Sequence, residues 1–249
     1  MLAQQRRSRI VEIVSAAGGV SVTDLAARLD VSASTIRRDL NTLDRQGVLQ
    51  RVRGGGAVEV EDMPFHHVAQ RSSSEKERIG AAAAELVNDR DVVVIDIGTT
   101  CAAVARHLRG RRVTVVTASL AVVDELREDR CVEVIVLGGL LRSSYLSMVG
   151  TLTENALRDL SADIAFIGTS GVRDDGVVMD STGTEVPVKH AIRSAAERRC
   201  LLATSDKFPG SGLLPVCRLD ELETVVTTAE STHAPLTDLE GSDTEVLFA

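Results

Sequence analysis

Apolar residues recur with a helical period over the early part of the chain and give way to short, uniformly apolar runs thereafter. Ile10, Ile13, Val14 and Ala17 fall at helical spacing, and Gly18-Gly19 ends that helix. Ser21 is placed to cap a second helix, with Val20 and Leu25 as its hydrophobic staple. A third helix is predicted from Ser32, where Val31 and Ile36 repeat the staple, and Gly47 stops it. Residues 48–60 read as a hairpin broken at Gly54-Gly55-Gly56. Residues 58–74, with Pro64 and Ser72-Ser73-Ser74, are polar and irregular and read as a linker. Ser74 and Glu77 form a capping box for the next helix, whose stripe is Ile79, Ala82, Ala83, Leu86 and Val87.

Beyond that helix, Val- and Ile-rich runs alternate with helical stretches, and strands are predicted at 92–97, 113–117, 132–137, 163–168, 200–204 and 224–227. Strands apolar on every residue imply a sheet covered on both faces, which makes a Rossmann-like α/β layer the natural fold class. The expected organisation is a small three-helix unit with a hairpin wing over 1–57 and a linker over 58–74. An α/β domain follows over 75–235, and 236–249 is a C-terminal tail or an edge strand.

Composition narrows the function classes. No apolar run is long enough to span a bilayer and no signal-peptide core follows Met1, so a cytoplasmic protein with no membrane partner is expected. Cys101, Cys131, Cys200 and Cys217 form no CxxC pair and have no His at ligand spacing, and they read as buried thiols in a reducing compartment. No metal and no cofactor is expected. The net charge of −8 argues against a nucleic-acid partner until it is divided along the chain. Residues 1–57 hold nine Arg and five acidic residues, a net of +4, which leaves −12 for the remainder. A basic head on an acidic body suits a protein whose head alone meets DNA.

The third helix carries the sharpest chemistry. With Ile36, Leu40 and Leu43 turned inward, Ser34, Arg38, Asn41 and Arg45 point outward, flanked by Thr35 and Arg37. Arginine pairs bidentately with guanine, short hydroxyls at a helix start suit phosphates, and the first residues of a reading helix reach base edges. The candidate DNA-binding residues are therefore Ser21, Ser32, Ser34, Thr35, Arg37, Arg38 and Asn41, with Arg51 and Arg53 on the wing. Arg6, Ile10 and Val14, then Ser32 and Thr35-Ile36-Arg37-Arg38-Asp39-Leu40, resemble the helix-turn-helix signature of the DeoR family of transcription regulators. Arg51-Val52-Arg53-Gly54-Gly55-Gly56-Ala57 is similar to that family's wing, although the His usual before the glycines is missing.

In the second domain the unusual polar residues follow predicted strands, where open α/β sheets bind their ligands. Asp96-Ile97-Gly98-Thr99-Thr100 follows the first strand, Thr117-Ala118-Ser119 the second, and Gly138-Gly139 and Arg142 the third. Gly168-Thr169-Ser170-Gly171 ends the fourth and Thr204-Ser205-Asp206-Lys207 the fifth. A lone Gly-Thr-Thr is more often a plain helix cap, but five such loops in series suit a small, anionic, hydroxyl-rich ligand such as a sugar phosphate. The candidate effector residues are Asp96, Gly98, Thr99, Thr100, Ser119, Gly138, Gly139, Arg142, Gly168 and Lys207. These loops also resemble, in order, the DeoR sensor domain, which extends the resemblance over nearly the whole chain. It implies a fold similar to ribose-5-phosphate isomerase and a repressor of carbohydrate-metabolism genes released by a phosphorylated sugar. Ala118 stands where that family usually has Asn, and Thr204 where it has Asp.

Other readings stay open. Glu185 and Lys189 are either a pocket feature or an i,i+4 surface pair, the surface pair being the default. Asp174-Asp175-Gly176 reads as a turn. An isomerase-like enzyme has Asp96 and Lys207 as acid–base candidates, but no GxSxG, Walker A, HExxH or GxGxxG motif supports catalysis. A DNA binder with a decayed or protein-partnered sensor is the other alternative. One small reading helix gives little affinity alone, so a homo-oligomer on double-stranded operator DNA is expected.

Overall fold

A computed structural model describes residues 3–17, 22–45, 50–51, 58–59, 65–210 and 212–249. The chain divides into two units, Met1–Pro64 and Phe65–Ala249. The first unit contains α1 (Ala3–Ala17), α2 (Val22–Leu29) and α3 (Ala33–Arg45), then two short strands, β1 (Gln50–Arg51) and β2 (Val58–Glu59), paired antiparallel. Ile10, Val14, Val22, Leu25, Ile36, Leu40 and Leu43 are buried together, each helix giving the apolar stripe that its spacing predicts. A part-buried ion pair joins two helices: Arg6 Nε donates to Asp39 Oδ2 at 2.6 Å. The Ser21 cap, the Gly18-Gly19 and Gly47 stops, Arg53 and the three wing glycines lie outside the described residues.

The second unit opens with α4 (Phe65–Gln70) and α5 (Ser73–Ala84), so part of the stretch expected to be irregular is helical. The Ser74–Glu77 capping box does not form. Ser72 stands at the N-cap in a left-handed conformation (φ 47°) without a side-chain cap bond, and Glu77 pairs with Arg106 and His107 instead. There follow β3 (Val92–Ile95), α6 (Thr99–His107), β4 (Thr114–Thr117), α7 (Leu120–Leu126) and β5 (Glu133–Val136), each close to its predicted place. A hairpin of β6 (Leu140–Arg142) and β7 (Ser147–Val149) leads through α8 (Thr151–Arg158) to β8 (Ala162–Gly168). The chain continues with β9 (Gly171–Val172), β10 (Val177–Asp180), α9 (Val186–Ala195) and β11 (Ala196–Ala203), which begins four residues before its predicted start. It closes with β12 (Leu214–Arg218), β13 (Thr224–Thr227), α10 (Ala234–Thr237) and β14 (Glu245–Phe248).

The main sheet is parallel throughout, in the order β14-β13-β11-β8-β3-β4-β5. Its inner strands alternate between two cores. Val93, Ile95, Ile164 and Phe166 pack with α5, α6 and α7, while Val94, Ala165 and Ile167 pack with α8 and α9. The outermost strand departs from this pattern: Ile135 and Val136 on β5 are 40% and 48% exposed. Cys131, expected to be buried, is exposed, while Cys101, Cys200 and Cys217 are buried. No helix among the described residues is long and apolar enough to cross a membrane.

Candidate functional site

Each unit carries its own cluster. In the first, the Ser32 hydroxyl accepts from the Thr35 amide at 3.2 Å, satisfying one of the open donors at the start of α3. It also bonds to the Ser34 and Thr35 hydroxyls at 2.8 and 2.9 Å, so these three side chains form one polar corner. Ile36, Asp39, Leu40 and Leu43 face inward, while Ser34, Arg37, Arg38 and Asn41 are exposed along the opposite side. Asp39 belongs to the family-like motif for a structural reason, since its carboxylate anchors Arg6 of α1. Arg51 lies in β1, in register with Val58.

In the second unit the strand ends converge. Gly98 begins α6 with φ 109°, a region open to glycine and strained for other residues. Among the described residues other than its chain neighbours, a Cβ placed there would meet only the Tyr145 hydroxyl, at 3.9 Å. Thr99 is buried and Thr100 half-buried in the first turn, where backbone amides lack intrahelical acceptors. Asp96 is buried behind this turn. Its Oδ2 accepts from the Gly168 amide at 3.0 Å and from the Lys189 ammonium, which also donates to the Gly168 carbonyl at 2.9 Å. Gly168 leaves no space for a side chain without crowding the Ile97 carbonyl, 3.1 Å from its would-be Cβ. Asp180 Oδ2 lies 3.4 Å from the same ammonium.

Glu185 and Lys189 are therefore not a surface pair. Lys189 is 2% exposed and Glu185 1%. Burial works against the Lys189 charge, but Asp96 and Asp180 outweigh it and hold its pKa well above the ordinary value. Glu185 Oε1 accepts from the Ser147 hydroxyl at 2.7 Å and from Arg142. Burial nonetheless raises its pKa. Among the described residues, Asp96 Oδ1 and Glu185 Oε2 are buried with no hydrogen-bond donor. Asp180 and Tyr145 are the members of this cluster that the sequence did not single out, while Glu185 and Lys189, left open between a pocket feature and a surface pair, are buried in it.

The remaining expected effector residues divide. Arg142 joins the cluster through Glu185, with its guanidinium 5.9 Å from the centre of the Tyr145 ring. Ser119 is spent on a cap, accepting from the Val122 amide at 3.3 Å at the start of α7. Gly139 is a packing glycine, since an added Cβ would lie 2.2 Å from Thr153 Oγ1. The neighbouring Gly138 carbonyl accepts from that same hydroxyl at 2.8 Å. Lys207 follows β11, with β8 between it and the Asp96 strand. Its charge acts on Lys76, a buried lysine of α5 whose ammonium donates to the Val68 and Arg71 carbonyls, both at 2.6 Å. Burial, then Lys207, push the Lys76 pKa down to about 8. Of the two positions that depart from the family pattern, Ala118 is buried in the core and the Thr204 hydroxyl bonds to Asp206.

Residues 6–61 match the DeoR-like helix-turn-helix domain and residues 71–229 the DeoR C terminal sensor domain. The glycerol-3-phosphate regulon repressor of Escherichia coli (strain K12) is 32% identical over 228 residues, covering 90% of each chain. The HTH-type transcriptional repressor GlcR of Bacillus subtilis (strain 168) is 28% identical over 230 residues, covering 91% of this chain and 89% of that one. Among solved structures, ribose 5-phosphate isomerase A from Methanocaldococcus jannaschii is 17% identical, with a TM-score of 0.41, and overlaps 55% of this chain and 54% of its own. With both domains matched in order and a relative aligned along nine-tenths of the sequence, the chain belongs to the DeoR family of helix-turn-helix transcription regulators.

Proposed function

We propose that the protein is a repressor that holds double-stranded operator DNA through α3 and is released by a phosphorylated sugar or polyol bound in the second unit. Ser32, Ser34 and Thr35 meet phosphates, Arg37, Arg38 and Asn41 read base edges, and Arg51 and Arg53 rest on the backbone beside them. The exposed polar side of α3, opposite its buried apolar stripe, supports this half of the reading. A helix of this size specifies few base pairs, so the working form is a symmetric oligomer on paired half-sites.

The effector half rests on one observation. Two buried carboxylate oxygens, Asp96 Oδ1 behind the Gly98 turn and Glu185 Oε2 next to Ser147 and Arg142, have no donor among the described residues. Buried acceptors are ordinarily paired, and sugar hydroxyls are suited to pair them. The first turn of α6 at Thr99 and Thr100 suits the phosphoryl group, with Arg142 and Lys207 contributing positive charge. The glycerol-3-phosphate regulon repressor, by its name, belongs to the same chemical territory. In this reading binding proceeds without turnover, in keeping with relatives that are named as repressors.

A thermal-shift panel tests it. Glycerol 3-phosphate, ribose 5-phosphate, fructose 6-phosphate and their unphosphorylated parents are added to the full-length protein. At least one phosphate ester should raise the melting temperature, by mass action on the folded state, where its parent does not. A flat panel would favour a DNA binder whose sensor has lost its ligand.

A further inference from the structure

The loop between β6 and β7 carries the only tyrosine of the chain. Several contacts fix it in place. The Tyr145 amide donates to the Arg142 carbonyl at 3.2 Å, and the next residue, Leu146, sits at φ 56°, an unfavourable conformation for leucine. The Leu146 carbonyl accepts from the Leu120 amide at 2.8 Å, and the Ser144 carbonyl accepts from the Phe65 amide at 3.0 Å. The ring lies edge-on to Phe65, with centroids 6.0 Å apart and planes at 79°, and Arg142 covers it from 5.9 Å. A strained residue next to a tethered ring indicates that the position of this side chain is held by its surroundings.

What the ring presents is its hydroxyl, and that hydroxyl bonds to no other described residue. Apart from the chain neighbours of Gly98, it is the one atom of the described residues within 4 Å of the empty side-chain position there. Burial raises its pKa to about 12, so at neutral pH it keeps its proton and acts as a donor. A ligand atom above Gly98 therefore lies between the first turn of α6 and a pre-positioned O–H. Of the ligand's parts, the anionic one gains from that place, since helix amides and a phenol all donate. The hydroxyl end then falls to the unpaired Asp96 and Glu185 oxygens, which an anion would avoid.

We propose that Tyr145 is a ligand-binding residue of the sensor, its hydroxyl donating to a phosphoryl oxygen held over the Gly98–Thr100 turn. The inference rests on the effector reading above and adds to it a residue, a direction and an orientation for the ligand.

The protein supplies its own reporter. With one tyrosine and no tryptophan in the sequence, emission excited at wavelengths beyond the phenylalanine band comes from Tyr145. Titrating full-length protein with glycerol 3-phosphate, ribose 5-phosphate, fructose 6-phosphate and inorganic phosphate should change that emission with the midpoint that calorimetry gives. Tyr145→Phe keeps the ring against Phe65 and Arg142 and removes only the hydroxyl. It should weaken the best sugar phosphate about tenfold, as loss of a hydrogen bond to a charged group does. Inorganic phosphate should weaken by a similar factor, while affinity for DNA without ligand stays unchanged. Equal affinities in wild type and Tyr145→Phe would overturn the proposal. So would a loss confined to the sugar ester with inorganic phosphate unaffected, since Tyr145 would then read the sugar. A wild type that binds none of the compounds would instead remove the effector reading itself, and the inference with it.

Discussion

At the scale of single residues, charge buried in the second unit is the most consequential feature. Lys189 neutralises two carboxylates, Asp96 and Asp180, from a position almost without solvent. Removing one partner of such a group leaves the others charged and unpaired, at a cost of about 3–5 kcal/mol. Lys189→Met should lose that much in urea unfolding followed by Tyr145 emission, and a loss near zero would mean the cluster is solvated. The sequence held a signal for this that a pairwise view overlooks. Glu185 and Lys189 are four apart, but Lys189 also stands three after Val186 and three before Ile192, in the middle of a buried stripe. On α3 the arginines fall outside the stripe, and the one charged residue inside it, Asp39, is buried against Arg6. Arg38→Ala should cost about 1–3 kcal/mol for the operator and relax preference at one base pair, as seen in binding to a set of single-base operator variants. Unchanged preference would mean that α3 faces DNA by another side.

At the scale of elements, the inner strands of the parallel sheet were legible and those of the small sheet of β9, β10 and β12 were not. The strands of the parallel sheet announce themselves as apolar runs between helical stretches, and they lie where those runs are. The small sheet of β9, β10 and β12 has strands of two to five residues, and β12 includes Pro215, which reads as a strand breaker. It is tolerated because β12 lies at the sheet's edge. Helix α4 has only six residues, too few to nucleate alone, and owes its form to what holds it: the Ser144 carbonyl at its start and Lys76 at its end. The Lys76 ammonium is buried near Lys207, Asp206, Arg71 and Glu75, and its pKa lies near 8 in the folded protein against 10.5 ordinarily. Between those values the unfolded chain holds more protons, so the cost of burying this charge is fully present below pH 8 and is relieved as pH rises toward 10.5. Comparing melts at pH 7 and pH 10 (about one unit below and two above the folded pKa), wild type should gain on Lys76→Met at the higher pH. A gain at the lower pH would reverse the sign of this account.

At the scale of the whole molecule, the chain joins a basic head to an acidic body, and mutations in the two should act separately on DNA binding and on release. Arg51→Ala and Arg53→Ala should weaken binding to all DNA sequences alike and flatten the salt dependence, since phosphate contacts carry no base information. A change in sequence preference would place them in a groove. Lys207→Ala, in the other unit, should bind operator as wild type does yet need about tenfold more ligand for release. Normal release would locate the phosphoryl group away from the β11 end. The change from a helical to a strand-and-helix pattern was readable from periodicity, whereas the buried polar cluster of the second unit was readable only in part. Asp96, Gly98 and Gly168 follow strands and show themselves, while Lys189 and Glu185 arrive from a helix more than eighty residues after Asp96.

The central claim is that one ligand shifts the balance between DNA-bound and free protein, which it does only by binding the two states unequally. An operator titration of the full-length protein, with and without the sugar phosphate that most raises its melting temperature, measures this directly. The account predicts a lower operator affinity at saturating ligand and no effect of the unphosphorylated parent. An operator affinity that ligand leaves unchanged, or tightens, would contradict it.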